Sequence, residues 1–305
     1  MRKTLNSLIF TLGFLAVFVS LVSCAAPRGT ADGPVVLDIG HYIGMGGAQA
    51  PRTVNGQRIQ EVDWWYRYVY YTKKVIEDAG YEVRVINRGN APTSEPLRSW
   101  AARAGVLHQG KPDRARRYPS RYFPDRVAGG IISADYAIFS KAACAVFLHH
   151  NSTGGWRKGA SPSIIICNKY NGGRLAGCLA ATLNKEVLNH GMPNGGRECT
   201  VTVRSVDAER SAGWMNACDD AGIPAAVIEA AFLSNSDHVA YLANDATARH
   251  YAESVGRGVV QYLRTYGNEA RHYRADPHAP DKGSFGYAAE SRSLKVPGAL
   301  HLWKR

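Results

Sequence analysis

Residues Cys144–Leu148 read CAVFL, five apolar residues in a row, too short for a helix and β-branched and aromatic enough for a strand. A run with no polar alternation asks to be buried on both faces of a sheet. It stops at His149 and His150, followed by Asn151 and a loop with paired glycines. A strand of this kind exposes only its end, so a histidine there stands on the rim of the sheet. In open α/β sheets, ligands bind at the carboxyl ends of the strands. A solvated histidine pair after a core strand is the plainer alternative, and other stretches have to decide between them.

The same grammar recurs along the chain. Residues 34–38 (PVVLD), 81–87 (YEVRVIN), 163–167 (SIIIC), 200–205 (TVTVRS) and 225–228 (AAVI) read as further strands. Between them lie stretches of helical period. One opens at Gln60 or Glu61 and puts Trp65, Val69, Thr72 and Ile76 on one face, with Gly80 to close it. Residues 174–190 align Leu175, Leu179, Leu183 and Val187. Residues 128–143 and 211–221 also read as helices. A last long helix starts at Asn244-Asp245, a good capping pair, and carries Ala248, Tyr251, Val255, Val259, Tyr262 and Leu263 on one face. Strands alternating with helices predict a single α/β domain over residues 34–266. Its sheet is expected to be mixed but largely parallel, with helices covering both faces.

The ends and one insertion depart from this pattern. Arg2 and Lys3 precede a short apolar stretch, residues 8–22, that ends Leu21-Val22-Ser23-Cys24. That is the form of a secretory leader with a bacterial lipobox, residues 1–23, which would leave a lipid on Cys24 and a linker to residue 33. Ala25 after the cysteine fits an outer-membrane address. An ordinary signal peptide cut near Ala25-Ala26 is the alternative. Residues 91–126 form a basic, proline-punctuated insertion of net charge +5, expected to be an irregular surface excursion with at most a short helix at 97–107. Residues 267–305 read as a poorly ordered tail.

The formal charge of +12 favours an anionic partner. Export rather than charge chooses among such partners, and it argues against nucleic acid. Five cysteines follow the leader: Cys144, Cys167, Cys178, Cys199 and Cys218. None forms a CxxC pair, which excludes a zinc knuckle. One or two disulfides are compatible with export, and their pattern stays open.

Four polar residues stand at ends of these elements. His41 follows the first strand, His149 follows CAVFL, Glu229 follows AAVI, and Glu61 opens the first helix. Two imidazoles and a carboxylate suit Zn²⁺, which takes N and O ligands and leaves a position open in catalytic sites. A further group is then needed to manage a proton, and Glu229 fits that role. Glu61 could instead only complement its helix dipole. Glu229 is harder to explain that way, because carboxylates are seldom buried unless paired or functional.

Taken together, the pieces resemble the zinc-dependent N-acetylmuramoyl-L-alanine amidases, amidase type 3. VVLDIGH (residues 35–41) resembles that family's strand ending in D-x-G-H, and Glu61 its helix-opening glutamate ligand. VFLHHNS (146–152) resembles its V-S-I-H-A-N-A stretch, and AAVIEAAFLSNSD (225–237) its V-L-V-E-x-G-F-I-S-N stretch. The resemblance implies zinc on His41, Glu61 and His149, with Glu229 catalytic. His150, at the family's Ala position, is a rival ligand. Tyr42-Ile43 replace the family's glycine pair after the first histidine, and Ala231 replaces a glycine.

The implied reaction is hydrolysis of the amide between N-acetylmuramic acid and L-alanine in peptidoglycan, for wall remodelling or daughter-cell separation. Glu229 would take the proton of the attacking water and return it to the leaving amine. The expected setting is the periplasm, with a lipid anchor holding the chain at the outer membrane. A protein activator is conceivable but unassigned. Two other readings stay open: a zinc peptidase cutting within the stem peptide, and a non-catalytic peptidoglycan-binding lipoprotein.

Overall fold

The computed structural model describes residues 33–43, 47–54, 56, 58–110, 118–119, 127–128, 141–152, 163–168, 172–188, 190–192, 199–203, 218 and 223–267. Expectations about the leader, Cys24, the tail, most of 128–143 and most of 211–221 lie outside the described residues.

Apolar strands that cannot stand in water collect into one seven-stranded sheet. The strands are β1 (Val35–Ile39), β2 (Val83–Asn87), β3 (Leu107–His108), β6 (Cys144–Leu148), β7 (Ile164–Cys167), β8 (Thr200–Val203) and β9 (Ala225–Glu229). Their order is β3-β2-β1-β6-β9-β7-β8, which puts β6 at the centre with all five residues buried. All neighbours are parallel except β7 and β9, which run antiparallel with Ile164 opposite Glu229. A separate pair, β4 (Tyr118–Pro119) with β5 (Val127–Ala128), is antiparallel and lies in and just after the basic insertion. Within the insertion, the short helix expected at 97–107 forms as α2 (Leu97–Ala104), and β3, which the sequence does not announce, joins the sheet edge beside β2; residues 111–117 and 120–126 lie outside the described residues.

Helix α1 (Glu61–Asp78), α3 (Gly173–Leu183, continued as a π-helical turn Asn184–Leu188) and α5 (Asp245–Tyr266) share one core with the sheet. The faces are those the periodicity predicts: Trp65, Val69, Thr72 and Ile76 of α1 are buried, as are Leu175, Leu179, Leu183 and Val187, and Tyr251, Val255 and Val259 of α5. Specific contacts tie α1 to α5 and to the residues just before it. Thr72 Oγ1 donates to the Ala252 carbonyl at 2.7 Å, Trp64 Nε1 to the Leu242 carbonyl at 3.0 Å, and Tyr68 Oη to Asp245 at 2.9 Å. On the opposite face Val36, Ile86, Phe147 and Val227 pack with Ile223 and with Cys218, itself helical.

A short helix, α4 (Ser236–Ala243), precedes α5 in a stretch to which the sequence reading assigns no element. Asn235 caps it by accepting from Asp237 and His238, and Asn244 caps α5 by accepting from Ala246 and Thr247. The five described cysteines are all free and buried, so no disulfide joins any two of them. No helix among the described residues is long and apolar enough to cross a membrane.

Chain direction places the site. From β1 the chain moves through α1 to β2 on one side, while β6 lies on the other side of β1. Adjacent strands whose connections leave in opposite directions open a crevice at their carboxyl ends. Ile39 and Leu148 are the last paired residues there, with Gly40 N–H donating to the Leu148 carbonyl at 3.0 Å. His41 and His149 therefore both emerge at that crevice.

Candidate metal centre

Glu61 reaches the crevice because the loop after β1 doubles back. Ala50 N–H bonds the Ile59 carbonyl at 2.8 Å and Glu61 N–H bonds the Ala48 carbonyl at 3.0 Å, a short antiparallel return that delivers the first residue of α1 to the strand ends. The buried carboxylate then has four neighbours. Oε2 accepts from Ala48 N–H at 2.7 Å and lies 3.3 Å from His41 Nε2. Oε1 accepts from His150 N–H at 3.0 Å and lies 2.9 Å from His149 Nδ1. Burial alone would raise the Glu61 pKa. Hydrogen bonds from His149 and His41, with their charges, outweigh it and hold the carboxyl well below the usual carboxylate range. One potential ligand atom from each of His41, Glu61 and His149 lies within 4.8 Å of the others. The two imidazoles meet edge to face, centroids 4.9 Å apart.

Backbone without side chains makes room for this cluster. A Cβ on Gly40 would run into the His149 ring, and one on Gly47 (φ 73°) into His41 and the Glu61 carboxylate. His41 itself has φ 62°, left-handed and unusual for a side chain of its size. Asn87, at the end of β2, donates from Nδ2 to the carbonyls of both Ile39 and His41. Below them Asp38 is buried and paired with Arg88 at 2.6 Å; desolvation raises its pKa despite that partner. Asn87, Gly40, Gly47 and the Asp38–Arg88 pair are site features that the residue pattern does not single out, although Asp38 and Gly40 fall inside the D-x-G-H resemblance.

His149 and His150 part company. The His150 ring leaves the cluster and stacks on Trp65, centroids 5.2 Å apart, with its edge toward Trp64 and Tyr251 close by. Burial drives its pKa down to about 3, so it is a neutral core aromatic. It lies outside the three-residue cluster.

Glu229 ends β9, one position past the Leu148–Ile228 pair, and so stands beside His149 at the strand ends. Its Oε2 is buried and has no hydrogen-bond partner among the described residues. Desolvation, with some repulsion from Glu61, raises its pKa to about 8. A carboxyl in that state can exchange a proton near neutral pH. The geometry thus offers three groups able to hold a cation and a fourth able to move a proton.

The family described as N-acetylmuramoyl-L-alanine amidase, type 3, matches residues 35–261. The chain is also similar to solved structures at low identity. The CwlD amidase of Clostridioides difficile in complex with the GerS lipoprotein is 17% identical, with 76% of this chain and 99% of that one covered and a TM-score of 0.46. The N-acetylmuramoyl-L-alanine amidase AmiC2 of Nostoc punctiforme is 16% identical, with 76% and 98% covered and a TM-score of 0.46. The catalytic domain of CwlV, an amidase from Bacillus (Paenibacillus) polymyxa, is 15% identical, with 76% and 98% covered and a TM-score of 0.46. No curated protein matches the chain. With the family's match running from the first residue of β1 into α5, this chain belongs to the N-acetylmuramoyl-L-alanine amidases, enzymes that act on peptidoglycan.

Proposed function

We propose that this chain hydrolyses the amide between the lactyl group of N-acetylmuramic acid and L-alanine, using zinc held by His41, Glu61 and His149. The observation that carries the reading is the convergence of those three side chains, from three separate segments, within 4.8 Å inside the span the family matches. Their chemistry fits the ion: two imidazole nitrogens and a carboxylate oxygen are a set that catalytic zinc uses while keeping a position open. His41 is the exposed member, at 36% of its side chain against 10% for His149, so substrate would approach past His41. When bound, zinc would supply Lewis-acid polarisation of the scissile carbonyl.

The protein's own groups do the rest. Glu61 brings the negative charge of the ligand set, and the N–H groups of Ala48 and His150 fix its orientation. Glu229 takes the proton from the attacking water and passes it to the leaving amine. Its dry surroundings keep it basic enough for that exchange near neutral pH. Stem peptides carry carboxylates, which suits the net charge of +5 that the sequence places in residues 91–126. Lipidation at Cys24 would hold the domain at the periplasmic side of a membrane, facing the wall it remodels.

Mass analysis of products from purified sacculi tests the reaction. Whole stem peptides freed from glycan by a protein carrying a single zinc is the expected result. Shortened stem peptides would make the chain a stem peptidase, and tight wall binding without products would make it a binding lipoprotein.

A further inference from the structure

Among the described residues, His41 is the one non-glycine with positive φ. Such a backbone is strained for a residue with a side chain and persists only where its surroundings fix it. Asn87 is what fixes it. This last residue of β2 is fully buried, and both ends of its side-chain amide are hydrogen-bonded. Nδ2 donates to the Ile39 carbonyl at 3.0 Å and to the His41 carbonyl at 2.7 Å, while Oδ1 accepts from Gly89 N–H at 2.9 Å. The two donated bonds bracket Gly40 and close the turn after β1 at both ends.

Those bonds are not needed to pair the strands. The β1–β2 ladder already runs from Val35 opposite Val83 to Asp38 opposite Ile86, ending before Asn87. The amide donates to the backbone carbonyls on either side of Gly40 and not to the His41 ring. What the turn accomplishes is to swing the imidazole back over the strand ends, to 3.3 Å from Glu61 Oε2. Few side chains can substitute. Leucine of similar size has no donor, aspartate lacks both N–H groups, and serine has a single short one.

We propose that Asn87 is a positioning residue for metal affinity: by holding the left-handed turn at His41, it presents that imidazole to the ion in register with Glu61 and His149. This rests on the zinc reading above. Without the two donated bonds, residue 41 relaxes toward negative φ and its ring leaves Glu61.

The test is zinc titration of metal-stripped protein by competition with a chromophoric chelator, with the absorption spectrum of the Co²⁺-loaded form as a second readout. Asn87→Leu should keep the wild-type circular dichroism and elution volume yet bind zinc about 10–100-fold more weakly, as removal of supporting groups around metal ligands does. Its Co²⁺ bands should shift. In a His41→Ala background, adding Asn87→Leu should change the residual affinity by no more than about twofold, because the residue it positions is gone. Should Asn87→Leu fail to fold, Asn87→Ser replaces it under the same criteria. Wild-type affinity in a folded Asn87 variant, or losses that simply add in the double variant, would overturn the proposal while leaving the zinc reading intact. A wild-type protein that takes up no zinc would instead overturn the zinc reading, and this proposal with it.

Discussion

Glu61 Oε1 stands 2.9 Å from His149 Nδ1 and accepts the N–H of the next residue, His150, at 3.0 Å. A single carboxylate oxygen thus addresses both the side chain that turns into the crevice and the backbone of the residue whose ring turns into the core. Removing Glu61 should therefore do more than subtract a ligand. His41→Ala, Glu61→Ala and His149→Ala should each lose zinc by atomic absorption and lose hydrolysis, and Glu61→Ala should also lower thermal stability. His150→Phe keeps the aromatic stack on Trp65 and should keep its zinc. A His150 variant that loses the metal while His149→Ala retains it would reverse the assignment.

Glu229→Gln keeps the size of the side chain but cannot accept a proton. Turnover on a muramyl-peptide should fall by about 10²–10⁴-fold with zinc content unchanged. Loss of metal together with activity would make Glu229 a ligand instead.

The same residue predicts a pH dependence in metal-free protein. Its native pKa, about 8, is above the ordinary 4.5, so the folded state holds this proton over a range where the unfolded state has released it. The stability it contributes is complete below pH 4.5 and is lost as pH rises through 8. Melting temperature should therefore decline more steeply between those limits for wild type than for Glu229→Gln. Parallel curves would show that Glu229 is solvated and ordinary.

Gly47→Ala tests how closely the loop packs on the cluster. The new methyl group would meet both His41 and Glu61, on a backbone at φ 73° that costs an L-residue roughly 1–2 kcal/mol. Zinc affinity should drop at least about tenfold, with the far-ultraviolet spectrum preserved because the loop lies outside the core. An unchanged affinity would mean that the loop moves aside freely.

Arg88→Leu leaves the buried Asp38 without its 2.6 Å guanidinium partner. The expected loss at neutral pH is about 3 kcal/mol in denaturant unfolding. Asp38 already has a raised pKa and can escape the cost by taking a proton, so the deficit should shrink as pH falls. Adding Asp38→Asn should restore part of the loss. Equal instability of single and double variants would mean that Arg88 acts through other contacts.

Much of this architecture is legible in residue order. CAVFL is buried end to end at the centre of the sheet, and the periodic faces of α1, α3 and α5 are the buried ones. What escapes notice does so for identifiable reasons. β3 is two residues long and carries no period of its own. β7 runs opposite to β9, yet a buried strand has the same apolar spelling in either direction. α4 is short, but Asn235 followed by Val239 and Leu242 is a readable start signal. At the site, chemistry-bearing types such as His41 and Glu229 stand out, whereas Asn87 and Gly47 matter through backbone geometry. An asparagine that ends a strand looks like any turn residue until the carbonyls it serves are seen.

The seam between α1 and α5 bears on the order in which the ribosome delivers this protein. Glu61 rides on α1, and that helix is tied through Thr72, Trp64 and Tyr68 to segments from Leu242 to Ala252. When His41, Glu61 and His149 have all been synthesised, the partner face of α1 has not yet emerged. A nascent chain therefore carries its three candidate ligands for a long stretch of translation without the scaffold that aims them, and competence arrives only as the last described helix docks.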